Sequence, residues 1–558
     1  MHPMEKPAMF AGKPIRPKTE VSMSKEHFYF SLQYSAIQKT VLRHDRLWSI
    51  AGISQILSVM NELELREITR DNGGEVLVAG GGKFTAKFKR IKDARSASSE
   101  IIKTVATTLP MLEFQSSKII EGDSLADAKE KGLIQSLSDH KFHFRGYAVT
   151  FNPHMKRCAE CGEYPALSNR YFPSGEPVCA ICDVAHDSRI DLSFIDKPEE
   201  GSEKLTSIQR IYHTYISKVQ PDDNTLPKVP ADFNDLFPPQ NDGGETAGGD
   251  ERRRMAVWFS DTNNMNLKVP IWLNQDDQYI RGIFDGVKDV VIDYVSEALA
   301  DVFPESTWNL KDKTRYLPFR LIVAGGDDLC MVMAEEYVLT FAKTLSLKLN
   351  EKLYGMNDSS PLHPDWLEKH CDKSQKKGKD FGRYCFGGSF VVASTHTPFK
   401  KIHEVGEALM GQAKKETNRE ANSVNWQILS ADEHSESAGR PDFEKPVFID
   451  KIQGEERTCI PDALSLSEYI ELRRFYHKIL SGSQRQQAAA SLIKYSNAPG
   501  AVEKQLIRSS TAGLENGVKF LLVDPLLRQG RDINNQLDCK NIASLLALLS
   551  IKRKEENR

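Results

Sequence analysis

The 558-residue sequence has no long hydrophobic run. Nothing in it approaches the ~18 consecutive apolar residues that span a bilayer, and residues 1 to 21 have no apolar core of the kind a secretory signal carries. These absences argue against a membrane or exported chain, and the expected compartment is the cytoplasm. An excess of one charge is also missing: 74 Lys and Arg stand against 77 Asp and Glu, a net charge of −3. No global field recruits nucleic acid, so any basic groove must be local. Cysteine is scarce, and five of the nine (Cys330, Cys371, Cys385, Cys459 and Cys539) lack metal-ligand spacing and read as core or incidental thiols. What is present, 40% hydrophobic and 27% charged residues, is the make-up of a globular chain. Its length allows three to five domains at ~150 residues each.

The other four cysteines form Cys158-x-x-Cys161 and Cys179-x-x-Cys182, with 17 residues between the pairs. Two CxxC turns supply the four thiolates of a closed, tetrahedral, structural Zn²⁺ site. Disulfides do not suit a cytoplasmic chain, and no βαβ context supports a redox use of either CxxC. One zinc ion per chain is therefore expected, with a role in folding and none in catalysis.

The chemistry centres on Leu321-Ile322-Val323-Ala324-Gly325-Gly326-Asp327-Asp328-Leu329-Cys330-Met331-Val332-Met333. Two short apolar runs around Gly-Gly-Asp-Asp predict a β-hairpin whose turn carries adjacent carboxylates. Gly325 and Gly326 let the backbone approach a nucleotide closely, and Asp327 and Asp328 offer hard oxygens. Gly and Asp are equally the residues of ordinary surface turns, so context decides. Upstream, Met255 to Ser260 reads as a buried strand that stops at Asp261. Ile280, Ile283, Phe284, Val287, Val290, Val291, Tyr294 and Ala298 then recur at helical spacing, as do Val338, Phe341, Leu345 and Leu349 after the hairpin. Strand, helix, hairpin, helix is the order of a polymerase or cyclase palm, in which the end of the first strand lies beside the hairpin turn. Asp261, Asp327 and Asp328 are thus expected to hold two Mg²⁺ or Mn²⁺ ions for phosphoryl transfer.

Asp261-Thr262-Asn263-Asn264-Met265, Gly325-Gly326-Asp327-Asp328 and Ser389-Phe390-Val391-Val392-Ala393-Ser394-Thr395-His396-Thr397-Pro398-Phe399, followed by Ala413-Lys414, resemble the second palm of the large polymerase/cyclase subunit of type III CRISPR effector complexes. The resemblance covers most of the chain from residue 25 onward. It implies that ATP is converted into cyclic oligoadenylates when a complex containing CRISPR RNA and other effector subunits binds target RNA. It also implies that Ser389 contacts the base and Lys414 the triphosphate.

Val76-Leu77-Val78-Ala79-Gly80-Gly81-Gly82-Lys83 repeats the apolar tetrad and Gly-Gly 245 residues earlier, with Gly82-Lys83 where the aspartates stand. This predicts a duplicated first palm without catalytic metal. The resemblance implies that its Gly80 and Gly81 face a nucleotide. Many members of the family begin with an HD nuclease domain. Here His44-Asp45 falls inside the palm segment and about two dozen residues precede the first strand, too few for a helical nuclease domain, so DNA cleavage is not expected. Lys83, Lys87, Lys89, Arg90, Lys92 and Arg95 read as a solvated face before a nucleic-acid patch.

The expected fold class is α+β: two ferredoxin-like palms, a zinc-ribbon-like insertion and a helical C-terminal domain. Its divisions are a flexible N-terminus (1–24), first palm (25–150), zinc-binding and helical insertion (151–216), linker (217–254), second palm (255–455) and helical domain (456–558), the last serving to dock other subunits. Rival functions are a stand-alone nucleotide cyclase, a dinucleotide cyclase of the GGDEF kind, and a catalytically silent scaffold in an RNA-guided complex. The turn continues Asp328-Leu329 instead of Glu-Phe, against the second, and the intact Asp261, Asp327 and Asp328 stand against the third.

Overall fold

The computed structural model describes residues 26–139, 155–195, 204–236, 254–371, 384–429, 447–448, 451–452 and 455–456, apart from positions 36, 38–40, 43, 45, 81, 111, 163, 167–176, 189, 191, 193–194, 221–225, 234, 312 and 326. The helical C-terminal domain expected over 456–558 lies outside the described residues beyond position 456, as does the flexible N-terminus.

The chain is a mixed α+β protein built on two sheets. The first unit runs β1 (His27–Ser35), α1 (Leu47–Val59), a π-helical turn (Met60–Glu64) into α2 (Leu65–Asp71), β2 (Gly74–Gly80), β3 (Lys83–Phe88), α3 (Ile91–Thr108) and β4 (Glu113–Ser116). Its sheet order is β2-β3-β1-β4 with every neighbour antiparallel, and β5 (Ile120–Gly122) adds to β1. Two short helices, α4 (Leu125–Glu130) and α5 (Leu133–Asp139), follow. α3 shows how sequence makes the layer: Ala94, Ala97, Ile101 and Val105 fall on one stripe and are all buried against the sheet.

Two helices, α6 (Ala180–Asp187) and α7 (Ser207–Val219), lie between the sheets in sequence. α7 opens with a full capping box, Thr206 and Gln209 each satisfying the other's backbone N–H. The second unit is β6 (Arg254–Thr262), α8 (Met265–Leu273), α9 (Asp277–Val302), a small hairpin β7 (Asn309–Lys311) and β8 (Thr314–Tyr316), then β9 (Phe319–Gly325), β10 (Asp328–Ala334), α10 (Val338–Tyr354), α11 (Pro364–His370), β11 (Phe386–Ser394), α12 (Phe399–Glu416), β12 (Ser423–Ile428) and β13 (Val447–Phe448). Its sheet order is β9-β10-β6-β11-β12-β13. The first four strands repeat the order of the first sheet, and β12 adds a parallel strand beside β11.

β6 reads as a continuous apolar run because both of its faces are covered. Ala256 and Trp258 pack towards α9 and α10, while Met255, Val257 and Phe259 pack towards α12 and α1. This double burial fixes the register, since a slip of one residue would exchange the two faces. Asn264, just past β6, takes the left-handed conformation (φ +61°) that lets α8 start at once.

The segment read as a linker is in part built into the fold. Residues 217–219 complete α7. Lys228 exchanges backbone hydrogen bonds with Arg315 (2.7 Å) and Leu317 (3.0 Å), and Leu236 is buried. Residues 237–253, the Pro- and Gly-rich portion, lie outside the described residues.

The two sheets meet through the start of α9. Asp277, 4% exposed, accepts from Tyr29 Oη (2.6 Å) and the Leu125 backbone N–H (2.9 Å) and pairs with Lys87 Nζ (3.0 Å). Arg66–Asp285 (2.9 Å) and Lys288–Glu62 (3.9 Å) continue the seam along α9. One member of the basic run, Lys87, is thereby committed to structure. Removing one partner of such a buried network leaves uncompensated polar groups, so Asp277→Ala is expected to destabilise the fold by about 3 kcal/mol. Urea unfolding checks this, and a loss below about 1 kcal/mol would remove Asp277 as the anchor of the junction.

Candidate functional site

Three strands bring the expected carboxylates together. Asp328, the first residue of β10, pairs with Asp261 near the end of β6 and with Gly325 at the end of β9. Gly387 of β11 pairs with Asp261 from the other side. The Thr262 N–H donates to the Asp327 carbonyl at 3.2 Å, which holds the turn against the end of β6. As a result one carboxylate oxygen from each of Asp261, Asp327 and Asp328 lies within 4.8 Å of the others.

The local field is unbalanced. Burial, then the charge of Asp261, pushes the Asp327 carboxyl up to about 7. Burial, then Asp327 and Asp261, pushes Asp328 up to about 8. Lys414, from the last turn of α12, is the cation at hand: its ammonium binds Asp261 Oδ2. Glu407, on the same helix, is a further carboxylate in the field of Asp328, and burial raises its own pKa. Beside it His403 is pushed down to about 4 by burial, its Nε2 3.7 Å from Glu407. Sequence reasoning missed Glu407; its place seven residues before Lys414, on one helix face, was the available signal.

On the opposite side of the sheet a small apolar hollow of about 20 Å³ lies beside Asp327, lined by Val287, Val290, Tyr294, Leu349, Leu362 and Tyr384 among others. Val287, Val290, Tyr294 and Leu349 belong to the helical stripes seen in the sequence. The Tyr384 hydroxyl is buried there without a hydrogen-bond partner among the described residues. The hollow has room for about one water molecule.

Ser389 is fully buried and donates to the Gly406 carbonyl (2.7 Å), tying β11 to α12 on the side away from the hollow. Its hydroxyl is thus committed within the fold. Gly325 has open space where a Cβ would stand. Gly80 ends β2 and pairs with Lys83, and Lys288 of α9 lies against it. Gly326 and Gly81 lie outside the described residues, as does Asp45, while His44 is buried.

The four cysteines of the two CxxC pairs also converge. Their sulfurs lie within 4.8 Å of one another, with Cys161 and Cys179 3.9 Å apart. A tetrahedron of Zn–S bonds about 2.3 Å long has S–S edges of about 3.8 Å, so the set fits zinc. Cys179 caps α6, and the cluster packs against Trp48 of α1. Asp358, His363 and Asp365 form the other group of this kind among the described residues, but His363 Nδ1 accepts from the Asp365 N–H as a helix cap. That leaves the proton on Nε2, facing Asp358, which is a structural use of the ring.

No protein-family model and no curated protein matches the sequence. Solved structures do. The chain is similar to the apo Csm1-Csm4 cassette (14% identity, TM-score 0.49, 96% of this chain and 72% of that one). It is also similar to the Csm1-Csm4 cassette in complex with one ATP (14%, TM-score 0.48, 95% and 70%) and to Csm1 in T. onnurineus (13%, TM-score 0.44, 95% and 70%). No helix among the described residues is long and apolar enough to cross a membrane.

The raised carboxyls have a consequence for stability. A folded-state pKa above the unfolded value means that the fold holds protons the unfolded chain has released, so Asp327 and Asp328 destabilise increasingly as pH rises from about 4 to about 8. Asp328→Asn in chelator is expected to melt above wild type at pH 8 and close to it at pH 4.5. Equal differences at both pH values would contradict the assignment. Metal analysis of protein purified without chelator should give one Zn²⁺ per chain, and Cys161→Ser should lower both zinc content and melting temperature.

Proposed function

We propose that this chain is a metal-dependent nucleotidyltransferase that joins ATP into cyclic oligoadenylates, as the large subunit of a type III CRISPR effector complex. The observation that carries the reading is the convergence of Asp261, Asp327 and Asp328 at the end of β6 and the β9–β10 turn. Their hard oxygens, and a negative field that Lys414 only partly offsets, suit two Mg²⁺ or Mn²⁺ ions. When bound, such ions supply activation of a ribose hydroxyl and neutralisation of charge on the α-phosphate and pyrophosphate.

The chain's own residues do the rest. Gly325, with no side chain over the turn, lets a triphosphate come close to the backbone. Lys414 supplies a mobile positive charge to the triphosphate. Ser389, given the base contact by the resemblance, has its hydroxyl on the Gly406 carbonyl in this structure. The first sheet is a palm that has lost its carboxylates, and its Gly80–Lys83 turn serves a second nucleotide. Cys158, Cys161, Cys179 and Cys182 hold one zinc that secures α6 against α1. The partners are other effector subunits, CRISPR RNA and target RNA.

The test is ATP turnover by the assembled, target-RNA-bound complex, with products identified by mass spectrometry. Replacing Asp327 and Asp328 together with Ala should lower oligoadenylate synthesis on the order of a thousandfold or more while assembly survives. Lys83→Ala should weaken ATP binding or leave it unchanged, without abolishing turnover. Wild-type protein that makes no oligoadenylate, or a double variant that makes as much, moves the reading to the scaffold. Synthesis independent of RNA moves it to the stand-alone cyclase.

A further inference from the structure

We propose that Lys414 is a built-in counter-cation for Asp261, which a triphosphate must draw away before the carboxylates take up divalent ions, so that nucleotide and metal bind cooperatively. This rests on the nucleotidyltransferase reading of the same site.

The fold contains a seat made for the lysine. Its side chain, 8% exposed, crosses Gly387 to place Nζ on Asp261 Oδ2. Gly387 is the residue paired with Asp261 on β11, and a Cβ there would stand 2.2 Å from Lys414 Cγ and 2.8 Å from Cε. α12 is held at this distance by close packing: a Cβ on Gly406 would stand 2.4 Å from the Phe259 ring, and Ser389 donates to the Gly406 carbonyl. Four carboxylates feel the ammonium, namely Asp261, Asp327, Asp328 and Glu407. The lysine therefore performs part of the neutralisation that a divalent ion would perform, on an oxygen the ion needs.

An ammonium and a doubly charged ion on one carboxylate repel each other. A triphosphate removes the conflict by offering the lysine another anion, and a flexible four-carbon stem lets Nζ move between the two. By linkage, nucleotide tightens metal binding and metal tightens nucleotide binding by the same factor. The sequence gives the signal after the fact: Gly387-Gly388 interrupts an otherwise apolar strand at the register position opposite Asp261.

The experiment is Mn²⁺ binding to the full-length chain, read from the free-ion electron paramagnetic resonance signal, with and without β,γ-imido-ATP and with the analogue's own chelation subtracted. In wild type the analogue should tighten Mn²⁺ binding roughly tenfold or more. In Lys414→Met, Mn²⁺ alone should bind roughly tenfold tighter than in wild type, and the analogue, left with only its own phosphate ligands to offer, should tighten it by a clearly smaller factor than in wild type. Gly387→Ala keeps the charge but fills the seat, and should move the same way; it carries the test if Lys414→Met does not fold. Mn²⁺ that binds the wild type and both folded variants equally without nucleotide overturns the counter-cation and leaves the nucleotidyltransferase reading in place. Wild type that binds no Mn²⁺ even with the analogue overturns both.

Discussion

The pairing of Asp328 with Asp261 across β10 and β6 is the constraint on which the rest of the site depends. It follows from the burial of both faces of β6, because a strand packed on both sides cannot slip without moving Trp258 and Phe259 into each other's places. Core packing thereby sets the position of two charged groups at the sheet's end. The third, Asp327, is placed by the hairpin turn and by the hydrogen bond from Thr262.

Electrostatics then makes the site receptive. Three carboxylates share a small volume, and burial raises Asp327 to about 7 and Asp328 to about 8. A site of this kind is a source of strain for the apo fold, tolerated because hydrophobic layers on both sides of the sheet stabilise the surrounding structure. Lys414 offsets part of it. Lys414 lies on one side of the turn and a small apolar hollow on the other.

Much of this was legible in the sequence because it is local. The Gly-Gly-Asp-Asp between two apolar runs specifies a hairpin, the run from Met255 specifies a buried strand, and the CxxC pairs specify four converging sulfurs. The Val76–Gly81 pattern recurs at Leu321–Gly326, and the strands that carry it, β2 and β9, hold corresponding edge positions in the two sheets. What was not legible depends on partners distant in sequence. Gly387 matters only because Lys414 lies over it, Glu407 only because α12, packed on β11 and β6, brings it into the field of Asp328, and Asp277 only because Tyr29 and Lys87 reach it from the other unit. Ser389 shows the converse: on a strand covered by α12, its hydroxyl is used by the Gly406 carbonyl. Likewise Val287, Val290 and Leu349, which recur at helical spacing, also line the small hollow beside Asp327.

The claim that Asp261, Asp327 and Asp328 form one divalent-metal and triphosphate site is tested most directly by anomalous diffraction from crystals of the chain with Mn²⁺ and β,γ-imido-ATP. Two manganese peaks between these three carboxylates and the triphosphate, with Lys414 moved from Asp261 onto a phosphate, is the result the geometry predicts. Nucleotide bound elsewhere, or bound here with no manganese on Asp327 and Asp328, would contradict it.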